Sequence, residues 1–125
     1  MFNPTNKHTG IKRIYLAGKN SLNALHWLFK NEAAFKQEVG LLIAAAILST
    51  LIAQTALERL MLILSVVLIL LLEIVNTAIE VVVDRIGLDI HPLSGLAKDL
   101  GSLLVLVGIS MAAAVWLVTG FTNWG

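Results

Sequence analysis

The sequence has no cysteine, which excludes disulfides, thiolate metal sites and a cysteine nucleophile. Charge is scarce. Only 14% of the 125 residues are Asp, Glu, Lys or Arg, where a soluble domain carries roughly a quarter. Hydrophobic residues make up 58%, and the mean hydropathy is +0.86. So apolar a chain cannot cover its own surface with polar side chains, and lipid is the solvent it suits. A net charge of +1 gives no basic surface for nucleic acid, so no such partner is expected. The glycine-rich signatures that cradle nucleotide phosphates are missing: there is no G-x-x-x-x-G-K-[ST] and no G-x-G-x-x-G. There is no internal repeat or low-complexity tract. The first 36 residues mix Lys, Arg, His and Asn with apolar positions, unlike a cleavable signal peptide, so no processing is expected. One domain over residues 1–125 is the expectation.

Long charge-free runs organise the chain. Val39 to Leu57 carries no charge and is long enough, as a helix, to cross roughly 30 Å of hydrocarbon. Gln54, Thr55, Glu58 and Arg59 make a polar turn. A second run, Leu60 to Val83, is interrupted only by Glu73, Asn76 and Glu80, and a third extends from Leu100 to Gly125. Asp84 to Asp99, with Gly87, Pro92 and Gly95, reads as a loop with broken helix. The fold class is therefore all-α integral membrane, with spans at 33–57, 60–86 and 98–121. An amphipathic helix over 9–30 precedes them: Ile11, Ile14, Tyr15, Gly18, Leu22, Leu25 and Phe29 form one stripe. Lys12, Lys19, Asn23, His26 and Lys30 fall on another face, which suits a helix lying in the headgroup layer as an anchor or as a roof over a site.

Basic residues set the orientation. Lys7, Lys12, Arg13, Lys19, Lys30 and Lys36 precede the first span, Arg85 and Lys98 lie in the second loop, and Arg59 alone falls on the other side. The positive-inside rule places the N-terminus and the 84–99 loop in the cytoplasm. Trp116, Phe121 and Trp124 read as anchors at the outer interface.

The second span carries the chemistry. An ionisable group in mid-bilayer costs about 3 kcal/mol on insertion scales, so its presence points to function. Glu73, Asn76, Glu80 and Asp84 stand at i, i+3, i+7 and i+11, which places them within an arc of about 80° on one helix face. Carboxylates one or two turns apart suit hard divalent cations. Carboxylates partly withdrawn from water also suit a general base. Glu32 and Glu38 stand at the entry to span one, and Lys98 and Asp99 open span three at the same level. Other readings remain open for single residues. Glu73 and Glu80 could be a proton or ion relay, Asn76 interhelical glue, the charged pairs interfacial, and His91 an exposed loop histidine. Ser65, Ser102 and Ser110 are expected to hydrogen-bond within their helices, and Ala44–Ala46 and Ala112–Ala114 to make close-packing surfaces.

From Glu73 to Asp84 the sequence reads E-I-V-N-T-A-I-E-V-V-V-D, which closely resembles the signature of the prokaryotic diacylglycerol kinase family, undecaprenol kinases included. Asn31–Glu38 (N-E-A-A-F-K-Q-E) and Asp84–Ser102 agree, and they look more like the Gram-negative diacylglycerol kinases than the undecaprenol branch. The surface helix, with Asn20, Leu22, Asn23 and His26, differs from a family pattern richer in aromatic and basic groups, and Leu96 stands where a basic residue is frequent. The resemblance, from about Thr9 to Phe121, implies an inner-membrane homotrimer with shared sites, using ATP and Mg²⁺ to phosphorylate diacylglycerol. By the same resemblance Glu73 is the base and Asn76 its support, and Glu32 and Glu80 are metal ligands. Arg13 and Lys98 contact phosphates; Asp89, Ile90, His91 and Asp99 border the nucleotide. Ala34, Phe35, Glu38 and Ser102 line the lipid side. An undecaprenol kinase of the same fold, or an ion-coupled transporter subunit, are the alternatives.

Overall fold

The computed structural model describes residues 9–125, and every described element is helical: α1 (Gly10–Asn31), α2 (Ala33–Ile52), α3 (Ala56–Ile86) and α4 (Pro92–Trp124). Lys7, counted above among the N-terminal cations, lies outside the described residues. Helices α2, α3 and α4 are each long and apolar enough to cross a membrane. Leu64, Ile74, Leu103 and Val118 are among many large apolar side chains exposed on them, the surface of a protein solvated by lipid.

The chain divides at residue 36. In the first unit α1 ends where Glu32 turns extended (φ −112°, ψ 106°), its N–H still bonded to the Leu28 carbonyl at 2.9 Å. Phe29 and Phe35 meet edge-to-face across that bend, ring centroids 5.2 Å apart, a pairing that contributes about 1 kcal/mol beyond burial. Glu32 is thus the residue between two helices and not a position on α2. The apolar stripe of α1 is exposed, with Ile11, Ile14, Tyr15 and Leu22 all open.

The second unit, Gln37–Gly125, holds most of α2 with α3 and α4. Caps start α3 and α4 earlier than the expected 60 and 98, and α2 ends at Ile52, short of the expected 57. Thr55 accepts the Glu58 N–H at 3.1 Å through Oγ1, so α3 begins at Ala56 and takes Glu58 and Arg59 into its first turn. His91 Nδ1 accepts the Leu93 N–H at 3.0 Å. Pro92 fills the first helical position, where its missing N–H costs nothing. The expected loop over 84–99 therefore shrinks to residues 87–91.

Helices α3 and α4 run antiparallel in one continuous register. Trp116 Nε1 donates to the Leu62 carbonyl (3.2 Å) and to Ser65 Oγ (3.1 Å). Leu72 packs on Gly108, Asn76 on Gly101, and Asp84 pairs with Lys98. Glycine at 101 and 108 lets the backbones approach, as small residues do between membrane helices. At the far end Asn123 Nδ2 and Trp124 Nε1 both donate to the Ile52 carbonyl, at 3.0 and 2.9 Å. They satisfy an orphan acceptor of the last turn of α2. The tryptophans read as interfacial anchors thus also tie helices together. Ser65, Ser102 and Ser110 bond to carbonyls of their own helices, as expected. Of the alanine runs, Ala45 and Ala112 are buried while Ala44, Ala113 and Ala114 are exposed, so the close-packing expectation holds at one residue of each.

Candidate active site

The polar ladder of α3 is graded in burial. Glu73 and Asn76 are 7% and 8% exposed, Glu80 is half-buried, and Asp84 is open at the helix end. A 31-residue helix is about 46 Å long, so one end of the ladder sits inside the apolar span and the other emerges from it. The ladder runs from buried side chains at Glu73 and Asn76 to an exposed carboxylate at the helix end.

Helix α2 brings a second carboxyl to the deep end. Glu38 lies half-buried, in hydrogen-bond contact with Glu73. Two carboxyl groups in contact make a place where a proton is held or handed on. Glu38 Oε2 is buried and has no hydrogen-bond partner. Asn76 Oδ1 shares that condition: the amide is pressed against Gly101 of α4, where a Cβ would collide with it. So does Thr77 Oγ1. Each buried, unpaired polar atom costs about 1–3 kcal/mol, and all three lie on Glu73's contact partner or within about one turn of Glu73 on α3. Their grouping around Glu73 marks this as a candidate place for a ligand.

At the mouth, Lys98 Nζ lies 3.0 Å from Asp84 Oδ1, both side chains half exposed. A pair this open contributes little stability, but it holds an ammonium at the upper end of the ladder. Asp99 is exposed beside it, and Ser102 donates to the Lys98 carbonyl at 3.2 Å. Asp89, Ile90 and His91 are exposed in the 87–91 connection, and the cap leaves His91 only Nε2 for a ligand. Arg13 is exposed on α1, Glu32 and Ala34 are half-buried, and Phe35 is buried; all belong to the first unit. Among the described residues no three His, Asp or Glu side chains converge into a metal cage. Carboxylates are the donor type a hard cation takes, and such a cation usually completes its shell with phosphate and water.

Two contributors escape sequence reading. Thr77 stands at i+4 from Glu73, about 40° around the helix, a signal present in the sequence but masked by the apolar run. Gly101 and Gly108 are spaced by seven, a small-residue pattern that could have marked the face of α4 against α3.

The family model for prokaryotic diacylglycerol kinase matches residues 19–119. The chain is 42% identical over 120 residues to the diacylglycerol kinase of Escherichia coli (strain K12), a match spanning 96% of this chain and 98% of the relative. The diacylglycerol kinase of Haemophilus influenzae is 41% identical over 110 residues, 88% of this chain and 93% of the relative. That of Pseudomonas aeruginosa is 38% identical over 113 residues, 90% and 92% of the two chains.

Proposed function

Because the chain belongs to the prokaryotic diacylglycerol kinase family, and is therefore a lipid kinase, we propose that it transfers the γ-phosphate of ATP to the hydroxyl of diacylglycerol, with Mg²⁺, at the cytoplasmic face of a bacterial inner membrane. The products are phosphatidic acid and ADP. The observation that carries this reading is Glu73: a buried carboxyl on a membrane-spanning helix, met by Glu38 and flanked by Asn76.

The chemistry follows from the grading of the ladder. Acyl chains stay in lipid, so only the glycerol head needs to reach Glu73. There the carboxylate takes the hydroxyl proton as the oxygen attacks the γ-phosphorus in line, and the bond to the ADP oxygen breaks. Asn76 holds Glu73 and the incoming phosphoryl group in register. Ala34, Phe35, Glu38 and Ser102 border the lipid head. Lys98 and Arg13 offset phosphate charge, and Asp89, Ile90, His91 and Asp99 edge the nucleotide. Glu32 and Glu80 would hold the magnesium ion, which when bound spreads the charge developing on the phosphates. The reading includes a homotrimer with sites shared between subunits. One bundle of three spans has little room to seclude a nucleotide and a lipid together.

A metal titration tests the Glu80 assignment. Glu80→Gln is expected to raise the Mg²⁺ concentration for half-maximal transfer at least about tenfold, since even the outer partners of metal ligands contribute that much. An unchanged titration removes Glu80 from the ligand set.

A further inference from the structure

Several hydroxyls on the spans of this protein share one habit. Ser49, Thr50, Ser65, Ser110 and Thr119 each donate to the carbonyl three or four residues earlier, at 2.6–2.9 Å. Such back-bonding is how a hydroxyl is satisfied on a helix in lipid. Thr77 departs from it: the residue is 5% exposed, and its Oγ1 is buried with no partner. It lies about 100° around α3 from Asn76, on the other flank of Glu73. Helical side chains lean toward the helix N-terminus, so its hydroxyl covers the turn that carries Glu73.

The other two unpartnered atoms decide what ligand this hydroxyl meets. Glu38 Oε2 and Asn76 Oδ1 are acceptors. A phosphate group, itself all acceptor, cannot satisfy them. A lipid alcohol brings one hydroxyl donor to this acceptor-rich set and, on the adjacent carbons, ester carbonyl oxygens that accept from a hydroxyl such as that of Thr77. Resting on the lipid-kinase reading, we infer that Thr77 is a lipid-positioning residue, its hydroxyl donating to an ester carbonyl oxygen of the diacylglycerol whose own hydroxyl faces Glu73.

The test uses the full chain in detergent–lipid mixed micelles. Thr77→Val keeps the shape and removes the donor. It is expected to raise the KM for diacylglycerol about three- to tenfold, the effect of one neutral hydrogen bond. KM for ATP and kcat stay unchanged, because the bond serves ground and transition states alike. Thr77→Ser is expected to restore the wild-type KM. The melting temperature of Thr77→Val is expected to hold or rise, since an unpaired buried hydroxyl is removed. A dialkylglycerol, which lacks the ester carbonyls, should show the same loss with the wild-type chain and no additional loss with Thr77→Val. That arm needs no variant to fold. An unchanged lipid KM in Thr77→Val, an equal rise in the serine and valine variants, or full wild-type affinity for the dialkyl lipid each overturns the assignment. Wild-type transfer to diacylglycerol is the internal control: if it is absent the kinase reading itself fails, and if it is present only the role of Thr77 is in question.

Discussion

Glu73→Gln is expected to lower kcat by about 10²–10⁴-fold, the usual contribution of a positioned base, while the protein folds and assembles as before. The amide keeps the size of the carboxylate and its ability to hydrogen-bond Glu38, so the α2–α3 contact survives. What it lacks is an atom to receive the proton of the lipid hydroxyl. Because the side chain is 7% exposed, no bulk water replaces it at that depth. The decisive comparison is kcat against melting temperature and assembly size. A variant that keeps more than a small fraction of its turnover shows that Glu73 is not the base. One that loses turnover together with its fold shows a carboxyl needed for packing.

Gly101→Ala is expected to cost about 10²-fold in turnover at nearly constant stability. The added Cβ would strike the Asn76 amide, while its distance to the Asn76 backbone, 3.8 Å to Cα, is comfortable. Only the side chain has to move. Rotating it off its position costs about 1 kcal/mol, and the helix gains a comparable amount by exchanging glycine for alanine. Displacing a positioning group by about an ångström can cost two orders of magnitude in rate. Gly108→Ala is the control, because its Cβ meets only the end of the flexible Leu72 side chain. It should retain turnover. Equal losses in the two variants would mean that helix spacing, and not the seat of Asn76, is what the glycines protect.

The fold was legible where the physics is one-dimensional. Charge-free runs of membrane length and a polar set repeating at helical spacing need no tertiary knowledge, and both appear in the structure. Boundaries were less legible. A single side chain, Thr55 Oγ1 or His91 Nδ1, supplies the cap that extends a helix into what reads as loop. The Glu38–Glu73 contact joins residues on different helices, so no local period announces it. Trp116 and Trp124 read as anchors at the outer interface because aromatic residues gather there. Their indole N–H groups in fact go to backbone carbonyls of other helices, a choice that only packing decides. Asn76 reads equally well as interhelical glue or as site. The structure gives its Oδ1 no hydrogen bond across the interface, only the close seat on Gly101, which favours the site.

The most direct measurement is transfer of labelled phosphate from ATP in mixed micelles, offering diacylglycerol and undecaprenol side by side, with and without Mg²⁺. Metal-dependent labelling of diacylglycerol well above undecaprenol is expected. Preference for undecaprenol would contradict the substrate while keeping the mechanism. No labelling of either lipid by a folded sample would contradict lipid phosphorylation by this protein.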